Sequence, residues 1–190
     1  MKISMDTQIA QLYLDEARHN FHQYKRLAEK AFAQLQPEHW FLCLDSEANS
    51  IAQIVKHIAG NMRSRFTDFL TSDGEKPDRN RDQEFVMEPG IAPEQVLAWW
   101  ETGWSCVFRA LDTLTPPDLA RIIFIRGQEH TVLAAINRQL LHYAHHIGQI
   151  VFLAKHLRGT EWKTLSIPRG QSALAGTKAE KEFGQRDVKL

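Results

Sequence analysis

Residues 131–157 read TVLAAINRQLLHYAHHIGQIVFLAKHL and are followed by Arg158-Gly159. Apolar residues recur through this stretch at helical spacing, and Arg158-Gly159 is a helix stop, so the spacing predicts one long helix from about Thr131 to Leu157. Projected at about 100° per residue from His146, His142 falls about 40° away, and so do Val132, Ala135, Ile150, Leu153 and Leu157. Two histidines therefore stand one turn apart inside an apolar stripe. His145 and His156 fall roughly 80–100° away, at or beyond the stripe's edge, and are expected to be solvated.

The same periodicity divides the rest of the chain. From Asp6 to about Leu35 there is no Gly or Pro, with Ile9, Tyr13, Ala17, Phe21, Tyr24, Ala28, Ala31 and Leu35 at helical spacing. Asp6 or Thr7 can cap this helix, and Pro37 stops it. A second helix fits Ser50 to Leu70, with Ile51, Ile54, Ile58, Met62 and Phe69 on one side and Ser50 as N-cap. A third starts at Pro93, carries Val96, Leu97, Trp100, Trp104, Val107, Phe108 and Leu111, and ends at Pro116-Pro117. Ile122 to Ile125 suits a short extended piece before Gly127. Four such stripes predict an all-α fold, a four-helix bundle spanning residues 1–172, with a flexible tail at 173–190. Between the second and third helices lies TSDGEKPDRNRDQEFVMEPGIAP, too long for an ordinary helix–helix turn. It permits a crossover, whereas up-down-up-down order would be expected only if every loop were short.

A chain of 190 residues suits one domain and buries enough surface to need no staple. Its 23 Lys+Arg balance 23 Asp+Glu, which argues against a nucleic-acid partner. Cys43 and Cys106 form no CxxC, and both are expected to be buried packing residues. The opening MKISMDTQIAQLYLDEARHN has no signal-peptide core, and no apolar run is long enough for a bilayer, so a cytoplasmic protein without a membrane partner is expected.

The remaining histidines differ in their promise. His19 and His22 project away from Ile9, Tyr13 and Leu27, onto a solvated face. His39 and His130 carry no geometric signal. His57 lies at the edge of the second helix's apolar arc, in line with Ser50, Gln53 and Asn61. Two imidazoles at i,i+4 with a third from a neighbouring helix would make a three-histidine metal site with open positions. Zinc, nickel, iron and manganese all accept imidazole, so the ligands do not choose the metal. From spacing alone, a metal site and a hydrogen-bonded polar pair are equally open.

IAQIVKHIAGNMRSRF, with His57, and LLHYAHHIGQIVFLAKHL, with His142, His146, Gly148, Gln149 and Ile150 in an H-x-x-x-H-x-G-Q-I segment, resemble the DinB-like (YfiT/DinB) superfamily of four-helix bundles. The resemblance covers roughly Asp6 to Ser172. GNMRSRFTDFLTSDGEKPDRNRDQEF and TLSIPRGQS are further similar to an uncharacterised branch of that superfamily. It implies a divalent-metal site on His57, His142 and His146, with zinc or nickel foremost and manganese or iron possible, and a homodimer. It further implies a transferase using a low-molecular-weight thiol such as bacillithiol or mycothiol, or a metal-dependent hydrolase. A non-enzymatic metal- or ligand-binding dimer is the third expectation.

Around that site, Gln149, about 60° from His146, could orient a substrate or a metal ligand, or pack across a helix interface. Asn61 and Arg65 are further candidates for contact with metal ligands or substrate. Arg65 projects into the apolar arc and needs a buried partner or a cavity. Asp68, Asp73, Glu75, Arg79 and Arg81 could form a lid or substrate clamp. The alternative, a solvated loop with weak ion pairs, is the one that charge alone favours. Trp100 and Trp104 share a core face, and Trp99 is the better interface candidate.

Overall fold

A computed structural model describes residues 4–174. Four long helices dominate it: α1 (Met5–Phe32), α2 (Ile51–Phe66), α3 (Pro93–Thr113) and α4 (Val132–Arg158). A small antiparallel hairpin, β1 (Ile122–Ile125) and β2 (Gln128–Thr131), sits between α3 and α4. The fold is thus mostly helical, as the periodicity predicted. None of the helices among the described residues is long and apolar enough to cross a membrane. The expected tail at 173–190 begins in the short turn Ser172–Leu174, and from residue 175 it lies outside the described residues.

Contacts fix the helix directions. Tyr13 near the start of α1 hydrogen-bonds Asn137 near the start of α4, and Gln34 past the end of α1 bonds Lys163 past the end of α4. α1 and α4 therefore run parallel. α2 and α3 are parallel too: Lys56 lies over the ring of Trp99, and Gly103 faces Ala59 and Met62. Across these pairs the helices are antiparallel, with Arg18 reaching Leu111 and Lys25 reaching Glu101. The long second connection is thus a crossover that returns the chain to run beside α2. A Cβ at Gly103 would stand 3.0 Å from the Cα of Ala59, so only glycine permits this close approach. Phe21, Met62, Trp100, Trp104 and Tyr143 are all fully buried between the helices. Trp99 is half-buried beside them.

The helix ends depart from expectation for identifiable reasons. Ser4, not Asp6 or Thr7, caps α1, its hydroxyl accepting from the Thr7 N–H. Ser50 and Gln53 close a full reciprocal capping box on α2. α2 stops at Phe66 rather than Leu70 because the chain reverses through Asp68 at φ 48°. Ile9, expected on the buried stripe, is 59% exposed and lines a shallow groove with Pro117 and Leu119. Cys106 is buried, but Cys43 is exposed, as are its neighbours Leu42 and Leu44: that apolar stretch lies on the surface. The polar sequence of β2 gave no strand signal. It pairs because the two-residue turn Arg126-Gly127, with φ 54° and 71°, matches strand twist.

The crossover is not a solvated loop. Asp73 accepts from the Arg126 and Gly127 backbone N–H groups at 2.9 and 2.8 Å, and Gly74 donates to the Phe124 carbonyl at 2.8 Å. Ser64 and Arg65 of α2 both donate to the Gly74 carbonyl, and Arg65 pairs with Glu75 at 2.9 Å. Farther along, Gln53 bonds the Phe85 carbonyl and Lys56 that of Val86. The charge-based expectation fails for Asp73, which holds the hairpin turn, and for Glu75 and Arg79, which form ion pairs with Arg65 and Glu84, whereas Asp68 and Arg81 are exposed as it proposed.

Candidate metal centre

α2 and α4 cross with His57 facing His142 and His146. Ring centroids are 5.5 and 5.0 Å from His57, and 4.7 Å between the α4 pair. One ring nitrogen from each lies within 4.8 Å of the others. His57, expected at a core edge, is buried and stacks on Phe85. His142 and His146 are half-buried rather than central to the stripe; the deepest face of α4 is one residue on, at Tyr143 and Ile147. The offset turns both histidines toward α2.

The second nitrogens are held from outside. His57 Nδ1 donates to Glu84 Oε2 at 2.8 Å. Glu84 comes from the short 3₁₀ turn Asp82–Phe85 and also takes a two-pronged bond from Arg79, at 2.8 and 3.0 Å. Burial pushes the Glu84 pKa up, but the hydrogen bonds from His57 and Arg79 outweigh it, and the net shift is downward. An ionised Glu84 holds a proton on His57 Nδ1, so Nε2 is the ring nitrogen left for a ligand. His146 Nδ1 likewise donates to Gln149 Oε1 at 2.8 Å, leaving its Nε2 lone pair 3.1 Å from Nε2 of His142. Gln149 is exposed, so it does not pack across a helix interface; it orients His146.

Burial, then the neighbouring imidazoles and arginines, push His142 down to about 3. Burial and the His57 charge push His146 down to about 4 despite its bond to Gln149. Both rings are therefore neutral near pH 7 and able to ligate. The residues fit a divalent ion of borderline character: three imidazoles, His142 and His146 of them neutral, with His57 and His146 oriented through their other nitrogen. The shifts also carry a stability prediction. An unfolded chain protonates these rings below about 6.5 and the native chain does not, so stability falls as pH drops from about 6.5 toward about 4. Depressed Glu84 acts in the same direction below its ordinary 4.5. Chelator-treated protein should lose thermal stability progressively over that window, and a His142→Ala, His146→Ala double variant should show a flatter profile.

His57 and His142 form part of the wall of a cleft of about 760 Å³, which Asn61 and Arg65 also line. Asn61 accepts from the fully buried Tyr143 hydroxyl at 3.1 Å. Arg65 answers both sequence expectations, since its head is buried against Gly74 and Glu75 and it reaches the cleft. His145 and His156 are exposed, and His22 is exposed and stacked on Phe108. Glu84 was not singled out from the sequence, because nothing in helical periodicity places a loop carboxylate. Gly60, one turn after His57, is its counterpart: a Cβ there would stand 2.8 Å from Glu84 Cδ and closer still to Oε1.

Fold and site together define a mostly helical protein with a three-histidine candidate metal centre between two helices. The chain belongs to DUF1572, a family of proteins of unknown function, whose profile matches residues 8–171. That family falls in the DinB/YfiT-like clan, in keeping with the resemblance of the histidine segments. No curated protein matches the sequence.

Proposed function

We propose that the chain is a DinB-like four-helix bundle that holds a divalent ion on His57, His142 and His146 and transfers a low-molecular-weight thiol to an electrophilic small molecule. The observation that carries this reading is the convergence of three imidazole nitrogens, with His57 and His146 fixed by Glu84 and Gln149. An all-imidazole set favours zinc or nickel, with manganese and iron also accepted. When bound, such an ion supplies Lewis acidity that lowers the pKa of a thiol or water brought to its open positions. The protein's part is to keep His142 and His146 neutral and all three rings aimed and partly shielded from water. In the transfer, a sulfur–carbon bond forms, the carbon–leaving-group bond breaks, and the thiol proton passes to solvent.

Thiol transfer is favoured over hydrolysis by the cleft lining. Among the described residues it contains no carboxylate, and the nearby Glu75 and Glu84 are both committed to arginines. A hydrolase would be served by a free general base, whereas a thiolate is itself the nucleophile. A homodimer in the cytoplasm, acting on small molecules rather than nucleic acid or membrane, completes the proposal. The test is conjugation of a panel of small thiols to a chromogenic electrophile by metal-loaded protein. Turnover above background, abolished by chelation and in His142→Ala, His146→Ala, is expected. Metal-dependent ester or amide cleavage without thiol transfer would replace this reading with the hydrolase. A metal-loaded protein inert in both assays would leave a binding role.

A further inference from the structure

The cleft beside the histidines is built from cations. Five arginines line it: Arg65 from α2, Arg79 and Arg81 from the crossover, Arg126 from the hairpin turn and Arg138 from α4. Among the described residues, two carboxylates form ion pairs with them, and a third, Asp73, accepts from the Arg126 backbone N–H. Glu75 pairs with Arg65, Arg79 and Arg126, and Glu84 pairs with Arg79. Five guanidiniums against these three carboxylates leave an excess of positive charge at the cavity. Arg81 and Arg138 have no carboxylate partner among the described residues, and both are exposed on the cleft from different elements.

One buried polar donor points the same way. Among the described residues, four buried side-chain nitrogens or oxygens lack a hydrogen-bond partner, and two belong to cleft residues: Arg65 Nε and Gln139 Oε1. The two side chains lie in residues only 4% and 2% exposed. A buried polar group left unpaired costs about 1–3 kcal/mol; Arg65 Nε is a donor and suits an anion, whereas Gln139 Oε1 is an acceptor and calls for a donor elsewhere on the occupant. The cavity is also held in shape. Asp73 pins the Arg126-Gly127 turn, and Arg126, at φ 54°, is held toward Glu75 at the cleft rim.

We propose that this cleft binds the negatively charged group of a small acidic molecule, a carboxylate or a phosphate, with Arg81 and Arg138 as its recognition residues. Arg79 is not part of the clamp: its fork is spent on Glu84, so it positions His57 instead. The proposal deepens the thiol-transfer reading by giving its substrate class, and it rests on that reading only for what happens at the histidines. Anion binding itself needs no metal.

The test is isothermal titration of the full chain at low ionic strength, chelator-treated and zinc-loaded in parallel, with succinate, inorganic phosphate and neutral succinamide. Chelated wild type should bind at least one anion and not succinamide. A preference for succinate identifies a carboxylate head group, and a preference for phosphate identifies a phosphate. Arg81→Ala and Arg138→Ala, exposed positions whose folding circular dichroism can verify, should each weaken binding roughly tenfold. Anion binding unchanged in both arginine variants, or absent from wild type, would overturn the proposal. Zinc failing to bind while the anion still does would sink the metal reading and leave this one standing.

Discussion

Replacing Glu84 by alanine is expected to destabilise the protein by about 3–5 kcal/mol, the usual cost of removing one partner from a buried ion pair. The Glu84 side chain is 9% exposed and that of Arg79 is 4% exposed, so solvent cannot screen what remains. Arg79 would keep only its longer contact to Glu75, at 3.4 Å, and His57 would lose its Nδ1 acceptor. Urea unfolding should register this as a lower midpoint. Glu84→Gln separates stability from function, since it keeps the volume and an acceptor oxygen but removes the charge. That variant should remain folded, with metal affinity reduced about 10- to 100-fold, the typical effect of losing a carboxylate behind a ligating histidine. Equal metal affinity in Glu84→Gln and wild type would show that the carboxylate does not tune His57.

Gly60→Ala should reach the same place from the other side of the contact. At an ordinary helix interior this change stabilises by about 1 kcal/mol, because glycine is the poorer helix former. Here the new methyl would overlap the Glu84 carboxylate, and the far end of that side chain is pinned by both His57 and Arg79. Since the pair is worth more than the propensity, we expect net destabilisation of about 2 kcal/mol and a fall in metal affinity comparable to Glu84→Gln. Thermal unfolding and zinc titration check it together. A Gly60→Ala protein more stable than wild type, with unchanged metal affinity, would mean that Glu84 finds another route to His57.

The helices were legible because their signals are local. Prolines, caps and apolar spacing place α1 to α4 within a few residues, and the length of the second connection allowed the crossover that the contacts display. The i,i+4 pair His142 and His146 was legible for the same reason, as was the solvated character of His145 and His156. What spacing could not supply was the other half of the site. The depth of His57, the bond to Glu84 and the arginine cleft depend on how the crossover folds back, and charge density alone argues for a solvated loop. That prior fails where Ser64, Arg65 and Asp73 tie the loop down, which takes tertiary contacts to see. The strand at Gln128–Thr131 was missed for a related reason: its pairing is set by a turn and a partner rather than by apolar alternation.

The central claim is that these three histidines hold a metal ion, and elemental analysis of natively purified, untagged protein beside the His142→Ala, His146→Ala double variant tests it most directly. The account predicts about one equivalent of divalent metal per chain in wild type and almost none in a double variant that remains folded. No metal in wild type, and none taken up on titration with zinc, nickel or manganese, would contradict it and make the trio a set of hydrogen-bonded polar residues at the α2–α4 crossing.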